Sequence, residues 1–243
     1  MTTAPLQRED TTRHEAVGIL LDRRVRRLVP ERTVAALCVA PNSGYKQMAD
    51  VECYDQARDV RMFAGGMPVV AHPPCRAWSA YTAHQAKPAP GEKELGLLCA
   101  DWLRIEGGVL EHPAHSRLFE AARLPRPGQR IGDLYTMLVW QAWWGYPMRK
   151  ATWLCFSRVD VRLLDIPYIE HDSRSGKGDR RRQQLMSKHQ RAETCPALAE
   201  WLVVAARKTP NVRGKLAPTA WRAGQQAQNG PQALRLMASA ARR

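Results

Sequence analysis

Residues 67–79 constrain this chain more than any other stretch. Val69, Val70 and Ala71 form a short apolar, β-branched run of the kind that fills the middle of a parallel sheet. Pro73 and Pro74 end it, because two consecutive prolines fix φ and remove two backbone donors. The chain therefore leaves the sheet in a stiff turn that holds Cys75 just past the carboxyl end of a strand. That edge is where open α/β sheets place their ligands.

The segments on either side extend the pattern. Residues 34–40 read as a first buried strand with Pro41-Asn-Ser-Gly44 as the loop beyond it, and residues 51–54 as a second strand followed by Asp55 and Asp59. Residues 92–106 form the clearest helix: Leu95, Leu98, Trp102 and Ile105 share one face, the start is acidic, and Gly107-Gly108 ends it. Gly108-Val-Leu-Glu111 then opens another strand. A strand, a helix and a strand in succession predict a parallel pair in which Cys75 and Glu111 emerge at the same edge. Residues 151–156 read as a later strand, continued into a hairpin by residues 159–166. Residues 195–206 read as a closing helix with Leu198, Trp201, Leu202 and Ala205 on its apolar face.

The expected architecture is α/β, a mostly parallel sheet with flanking helices over residues 31–207. An N-terminal helical extension precedes it in residues 1–30, where Val17, Leu21, Val25 and Leu28 recur at helical spacing between basic residues. That extension is either a cover on the sheet or a basic face toward nucleic acid, and the cover is the simpler reading. Residues 208–243 read as a basic, flexible tail: from 207 onward the chain carries eight basic residues and no acidic one. Trp140, Trp143 and Trp144 either stack on bases or belong to the core, and a tryptophan cluster favours the core.

Charge narrows the partner. The 243 residues carry a formal net charge of +14, which favours a polyanion, because lysines and arginines that neutralise phosphates gain affinity by releasing counterions. Residues 172–191 concentrate the effect: Arg174, Lys177, Arg180, Arg181, Arg182, Lys188 and Arg191 stand among Ser, Gly and Gln, suited to phosphate contact or, more plainly, to a solvated linker. DNA is the expected partner. The six cysteines form no Cys-x-x-Cys pair and have no zinc-like spacing to histidine, so no metal is expected. Cys38, Cys99 and Cys155 lie in apolar runs and read as free buried thiols, which fits a reducing cytoplasm. No apolar run approaches 18 residues, so neither a membrane span nor a secretory signal is expected.

A strand running into Pro-Pro-Cys resembles the catalytic loop of cytosine C5 DNA methyltransferases. Gly107-Gly-Val-Leu-Glu-His-Pro113 resembles the strand that carries that family's Glu-Asn-Val motif, and residues 144–156 resemble its later strand. Residues 34–207 are similar to a compact, bacteriophage-type branch with His-Pro-Pro-Cys-Arg-Ala-Trp and Leu-Glu-His-Pro motifs. The resemblance implies a shortened Rossmann-like methyltransferase core in the cytoplasm, of the host if phage-encoded, with S-adenosylmethionine as donor. It places Asn42, Gly44 and Asp55 at the cofactor, together with the closing helix. The family's glycine-rich Phe-x-Gly-x-Gly loop is reduced here to Gly44 alone. For Asp55, hydrogen bonding to ribose competes evenly with capping of a helix.

The chemistry implied is nucleophilic. Pyrimidine C5 is a poor nucleophile until a thiolate adds to C6, a step that the resemblance assigns to Cys75. Glu111, protonated or hydrogen-bonding at N3, would neutralise the ring. Pro73, Pro74, Arg76 and Ser79 would line the base, and His72, His112 or Arg76 would lower the thiol pKa or hold a phosphate. Arg149 and Lys150 lie close to the family's base-supporting arginine, and Arg180, Arg181 and Arg182 would hold the DNA backbone, with the target base flipped or single-stranded. Two alternatives stay open: C5 modification with another donor, and a DNA-binding protein of the same fold without turnover.

Overall fold

A computed structural model describes residues 32–80, 87–167 and 194–211. The expected helical extension of residues 1–30, the basic loop of residues 172–191 with Arg180, Arg181 and Arg182, and the tail beyond residue 211 lie outside the described residues.

One seven-stranded sheet organises the rest. Its strands are β1 (Val34–Leu37), β2 (Val51–Tyr54), β3 (Val69–Ala71), β4 (Gly108–Pro113), β5 (Arg130–Ile131), β6 (Leu134–Trp140) and β7 (Ala151–Ser157), in the spatial order β2-β1-β3-β4-β7-β6-β5. Strands β2, β1, β3 and β4 pair in parallel; β7, β6 and β5 add an antiparallel half. Helix α1 (Glu92–Glu106) links β3 to β4, as its spacing predicts, a short α2 (Leu118–Ala121) follows β4, and α3 (Pro196–Arg207) closes the fold. Side chains alternate along each strand, so one face is built from Val34, Ala36, Val70 and Val109 against Leu198 and Leu202 of α3. The other face carries Ala35, Leu37, Val69, Ala71 and Leu110 against Cys99 and Leu103 of α1.

Two sequence expectations change. The hairpin is formed by β6 and β7, paired from Leu134↔Ser157 to Trp140↔Ala151, and not by residues 159–166. In the latter stretch Asp160 accepts a hydrogen bond from the Arg162 backbone and winds a 3-10 turn over Val161–Leu163. The second change concerns one tryptophan: Trp144 packs edge-on against Trp201 in the core and Trp143 packs against that core, as favoured, whereas Trp140 lies beneath the Arg149 guanidinium, 5.9 Å from the ring centre.

The chain reverses direction across the sheet between β1 and β3: it steps outward from β1 to β2, then returns to β3 and continues to β4. At such a switch point the loops beyond the carboxyl ends diverge and leave a crevice. The 3-10 turn Gly44–Gln47 after β1 and the Cys75 loop after β3 flank it. Among the described residues, no helix is long and apolar enough to cross a membrane.

Candidate active site

The strand register sets the site. Ala71 pairs with Leu110, so the next residue along each parallel strand, His72 and Glu111, stand abreast. Alternation turns Glu111 to the same face as Val109, toward α3 and the 3-10 turn after β1. There the buried Glu111 carboxylate accepts two hydrogen bonds: Oε2 from His72 Nδ1 at 3.1 Å and Oε1 from Gln141 Nε2 at 3.0 Å. Gln141, fully buried, also reaches Thr152 Oγ1 at 3.1 Å. Behind His72, the Tyr45 hydroxyl lies 2.8 Å from Nε2.

Burial alone would push the Glu111 carboxyl upward, but the His72 hydrogen bond and charge, helped by Lys150 and His112, overcome it and hold the pKa at about 2. Glu111 is therefore a carboxylate in the free protein.

Cys75 sits exposed at the tip of the loop, where the sequence places it. Desolvation raises its pKa, the Glu111 carboxylate raises it further, and Lys150 pulls the other way. The resting thiol is protonated. Of the cations named from sequence, none takes the role of lowering it: the Arg76 Nε is engaged by Glu92 at 2.7 and 3.0 Å, and His72 is spent on Glu111 and Tyr45. The cation that favours the thiolate is Lys150, held in a left-handed backbone conformation with φ 38° and its ammonium over the Tyr146 ring.

The loop is clamped on both sides of the cysteine. Pro73 is buried and Pro74 half-buried; the Trp78 backbone N–H donates to the Cys75 carbonyl at 3.0 Å and closes the turn that contains Arg76. The Trp78 carbonyl in turn accepts from Arg117 N at 2.9 Å. Buried Glu92, at the start of α1, holds both Arg76 and the backbone N–H of Ala89. Ser79 follows, half-buried, beyond the turn.

The Trp78 ring packs against Gly96 of α1 so closely that a Cβ there would come within 2.5 Å of its Nε1. Gly96→Ala gains about 1 kcal/mol of helix propensity but forces the ring out of a filled space, a cost of about 1–3 kcal/mol. We expect a net loss of stability in chemical denaturation, and faster alkylation of Cys75 by iodoacetamide as the loop loosens. Unchanged alkylation would show that the ring does not hold the loop.

The residues expected at the cofactor do not assemble a ribose site. Asn42 and Gly44 are exposed, and the space around Gly44 is open, with no close backbone approach to accommodate. Both Asp55 oxygens are taken: Oδ1 accepts from Ala57 N and Arg58 N at 2.8 and 3.0 Å, and Oδ2 from Lys46 Nζ at 2.5 Å. These bonds lower the carboxyl pKa to about 2, the Lys46 bond most of all. Asp55 meets neither expectation as stated: it caps the bend of residues 55–58 and not a helix, and its second oxygen is held by Lys46. The residues present do not fit S-adenosylmethionine in this arrangement, and no step below is routed through it.

Tyr45, Gln141 and Thr152 carry no motif that sequence reading could use. Tyr45 hides in the glycine-poor loop after β1, and Gln141 follows β6 among aromatic residues. No group of three or more metal-binding side chains occurs among the described residues. No family model, curated protein or solved structure matches this chain.

Proposed function

We propose that this protein activates the C5 position of cytosine in DNA, with the chemistry of a shortened methyltransferase-like core. The observation that carries the reading is the placement of an exposed thiol and a buried carboxylate on adjacent parallel strands, at one sheet edge, beside a switch-point crevice.

Cys75 loses its proton to solvent at the exposed tip, and the sulfur bonds to C6. The C5=C6 pair moves toward C4, and the C4=N3 pair comes to rest on N3, which takes a proton through Glu111. C5 is now enamine-like and bonds to an electrophilic one-carbon group. Loss of the C5 proton re-forms the double bond and expels the sulfur. An N3 acceptor beside an exocyclic amine suits a carboxyl group that donates to one and accepts from the other, which favours cytosine over thymine. Because a stacked base is out of reach, the substrate is a flipped or single-stranded cytosine. The net charge of +14 supports a polyanionic partner, with Arg180, Arg181 and Arg182 proposed on the phosphates and Arg149 and Lys150 near the base.

The test has two parts. In D2O with no donor present, a cytosine oligonucleotide is expected to exchange its C5 hydrogen for deuterium, read by mass, and Cys75→Ala is expected to abolish the exchange. No exchange by the wild-type protein would refute the reading. With a 5-fluorocytosine oligonucleotide, an adduct trapped with S-adenosylmethionine and absent without it assigns that donor. Mass analysis of nucleosides from cells that express the protein, against Cys75→Ala, identifies the group transferred under any donor. DNA binding that survives Cys75→Ala with no modified base in either assay would mark a binding protein.

A further inference from the structure

Resting on the pyrimidine reading above, we infer that His72, backed by Tyr45, is a positioning residue that supplies the proton Glu111 passes to the ring. Glu111 acts with a proton store behind it, and that store is the histidine directly ahead of Pro73.

The geometry gives His72 no freedom. Nδ1 faces Glu111 Oε2 at 3.1 Å and Nε2 faces the Tyr45 hydroxyl at 2.8 Å, so both ring nitrogens are committed. Two proton arrangements satisfy these bonds. In the imidazolium, Nδ1–H donates to Glu111 and Nε2–H to the Tyr45 oxygen. In the neutral ring, Nδ1–H still donates to Glu111, and Tyr45 O–H donates to Nε2.

Only the first has a proton to give. Surrendering Nδ1–H from the neutral ring would require Tyr45 to send its own proton to Nε2 and become a buried phenolate, and desolvation raises the Tyr45 pKa well above its usual value.

A carboxylate is the wrong partner for an unprotonated N3, since both offer lone pairs. The imidazolium removes the mismatch. As the sulfur–C6 bond forms and an electron pair collects on N3, the Nδ1 proton crosses to Glu111 and a proton passes from the carboxyl to N3. The adduct then holds N3–H, Glu111 is again a carboxylate, and His72 is neutral with its remaining proton on Nε2, donated to the Tyr45 oxygen. Expulsion of the sulfur returns the N3 proton by the same route. Gln141 keeps Oε1 in place through both halves of the cycle.

The groups that bear on Glu111 come from every element packed around it: His72 after β3, His112 on β4, Tyr45 in the 3-10 turn after β1, Gln141 after β6, and Lys150 before β7. Lys150 and His112 favour the carboxylate through charge. His72 is joined to it by a hydrogen bond as well.

The test is the rate of donor-free C5 hydrogen–deuterium exchange as a function of pD, with full-length protein and a cytosine oligonucleotide. The step needs a Cys75 thiolate and a His72 imidazolium together, so the wild-type profile is expected to be bell-shaped. His72→Gln, which keeps a donor for Glu111 but stores no proton, is expected to lower the rate about 100-fold or more and to leave a single rise to a plateau, with no falling limb. Tyr45→Phe removes the partner of Nε2 in both proton arrangements and should lower the maximum rate while the bell shape is kept. Lys150→Met should slow exchange and keep the bell shape.

A falling limb retained in His72→Gln overturns the inference whatever the rate, as does an unchanged maximum rate in Tyr45→Phe. If His72→Gln shows no cooperative unfolding transition, His72→Asn is read for the same loss of the limb, and the Tyr45→Phe rate decides if neither folds. Absence of exchange in the wild-type protein overturns the pyrimidine reading and this inference with it; exchange with the falling limb retained in His72→Gln overturns the inference alone.

Discussion

Replacing Glu111 with glutamine is expected to quicken alkylation of Cys75 by iodoacetamide while stopping the chemistry on cytosine. The two effects have one cause. Desolvation raises the thiol pKa most and the Glu111 carboxylate adds to it, so removing that charge takes away one of the effects that oppose Lys150 and enlarges the thiolate fraction at neutral pH. Each pKa unit recovered is worth about tenfold in thiolate, which sets the scale of the gain. C5 exchange, in contrast, should fall by about 10²–10⁴-fold, the usual worth of a positioned general acid. The fold should survive, because glutamine keeps the shape and can still accept from His72. The Gln141 amide, whose Oε1 has no hydrogen-bond partner among the described residues, can turn to accept from the new N–H. Alkylation that slows or does not change would show that the carboxylate does not act on the thiol.

The largest effect on stability is expected from Gly108→Ala. Gly108 opens β4 at φ 117°, and a Cβ on it would fall 2.0 Å from the Val69 carbonyl oxygen and 2.8 Å from the Val69 nitrogen. Both atoms are backbone of the neighbouring strand, so no side chain can rotate away. The strain of that φ costs about 1–3 kcal/mol for a residue with a side chain, and overpacking adds about 1–3 kcal/mol. Against a total stability on the order of 5–15 kcal/mol, such a loss moves the denaturation midpoint well outside error. Because β3 and β4 carry Cys75 and Glu111, C5 exchange should fall together with stability. A midpoint within error of the wild-type protein would mean that the two strands do not approach as closely as Gly108 requires.

How far the sequence could be read followed from which interactions are local. Residues 92–106 were legible because apolar spacing, an acidic start and two glycines at the end agree. Cys75 was legible because a proline pair fixes its own surroundings. Its common edge with Glu111 followed from strand–helix–strand order alone. What escaped depends on pairing at a distance. The β6–β7 hairpin has a ten-residue excursion with its own 3-10 turn, so no tight-turn signal marks it. Asp55 reads the same whether it faces a ribose or Lys46. The charge on Glu111 is set by His72, 39 positions earlier in the chain, and by Gln141, 30 positions later, and neither is marked by any motif.

The thiol-bearing turn leaves one of two neighbouring, hydrogen-bonded strands and the carboxylate rides on the other, so the sheet register sets where both begin and the clamped turn sets the rest. Inserting one residue between Ala71 and His72, or ahead of Glu111 within β4, would rotate one partner to the opposite face and silence the pair at a stroke. Surface excursions elsewhere on the rim can lengthen, shrink or be exchanged without disturbing that arrangement. Such a two-strand cassette keeps its register whatever the length of the loops that surround it.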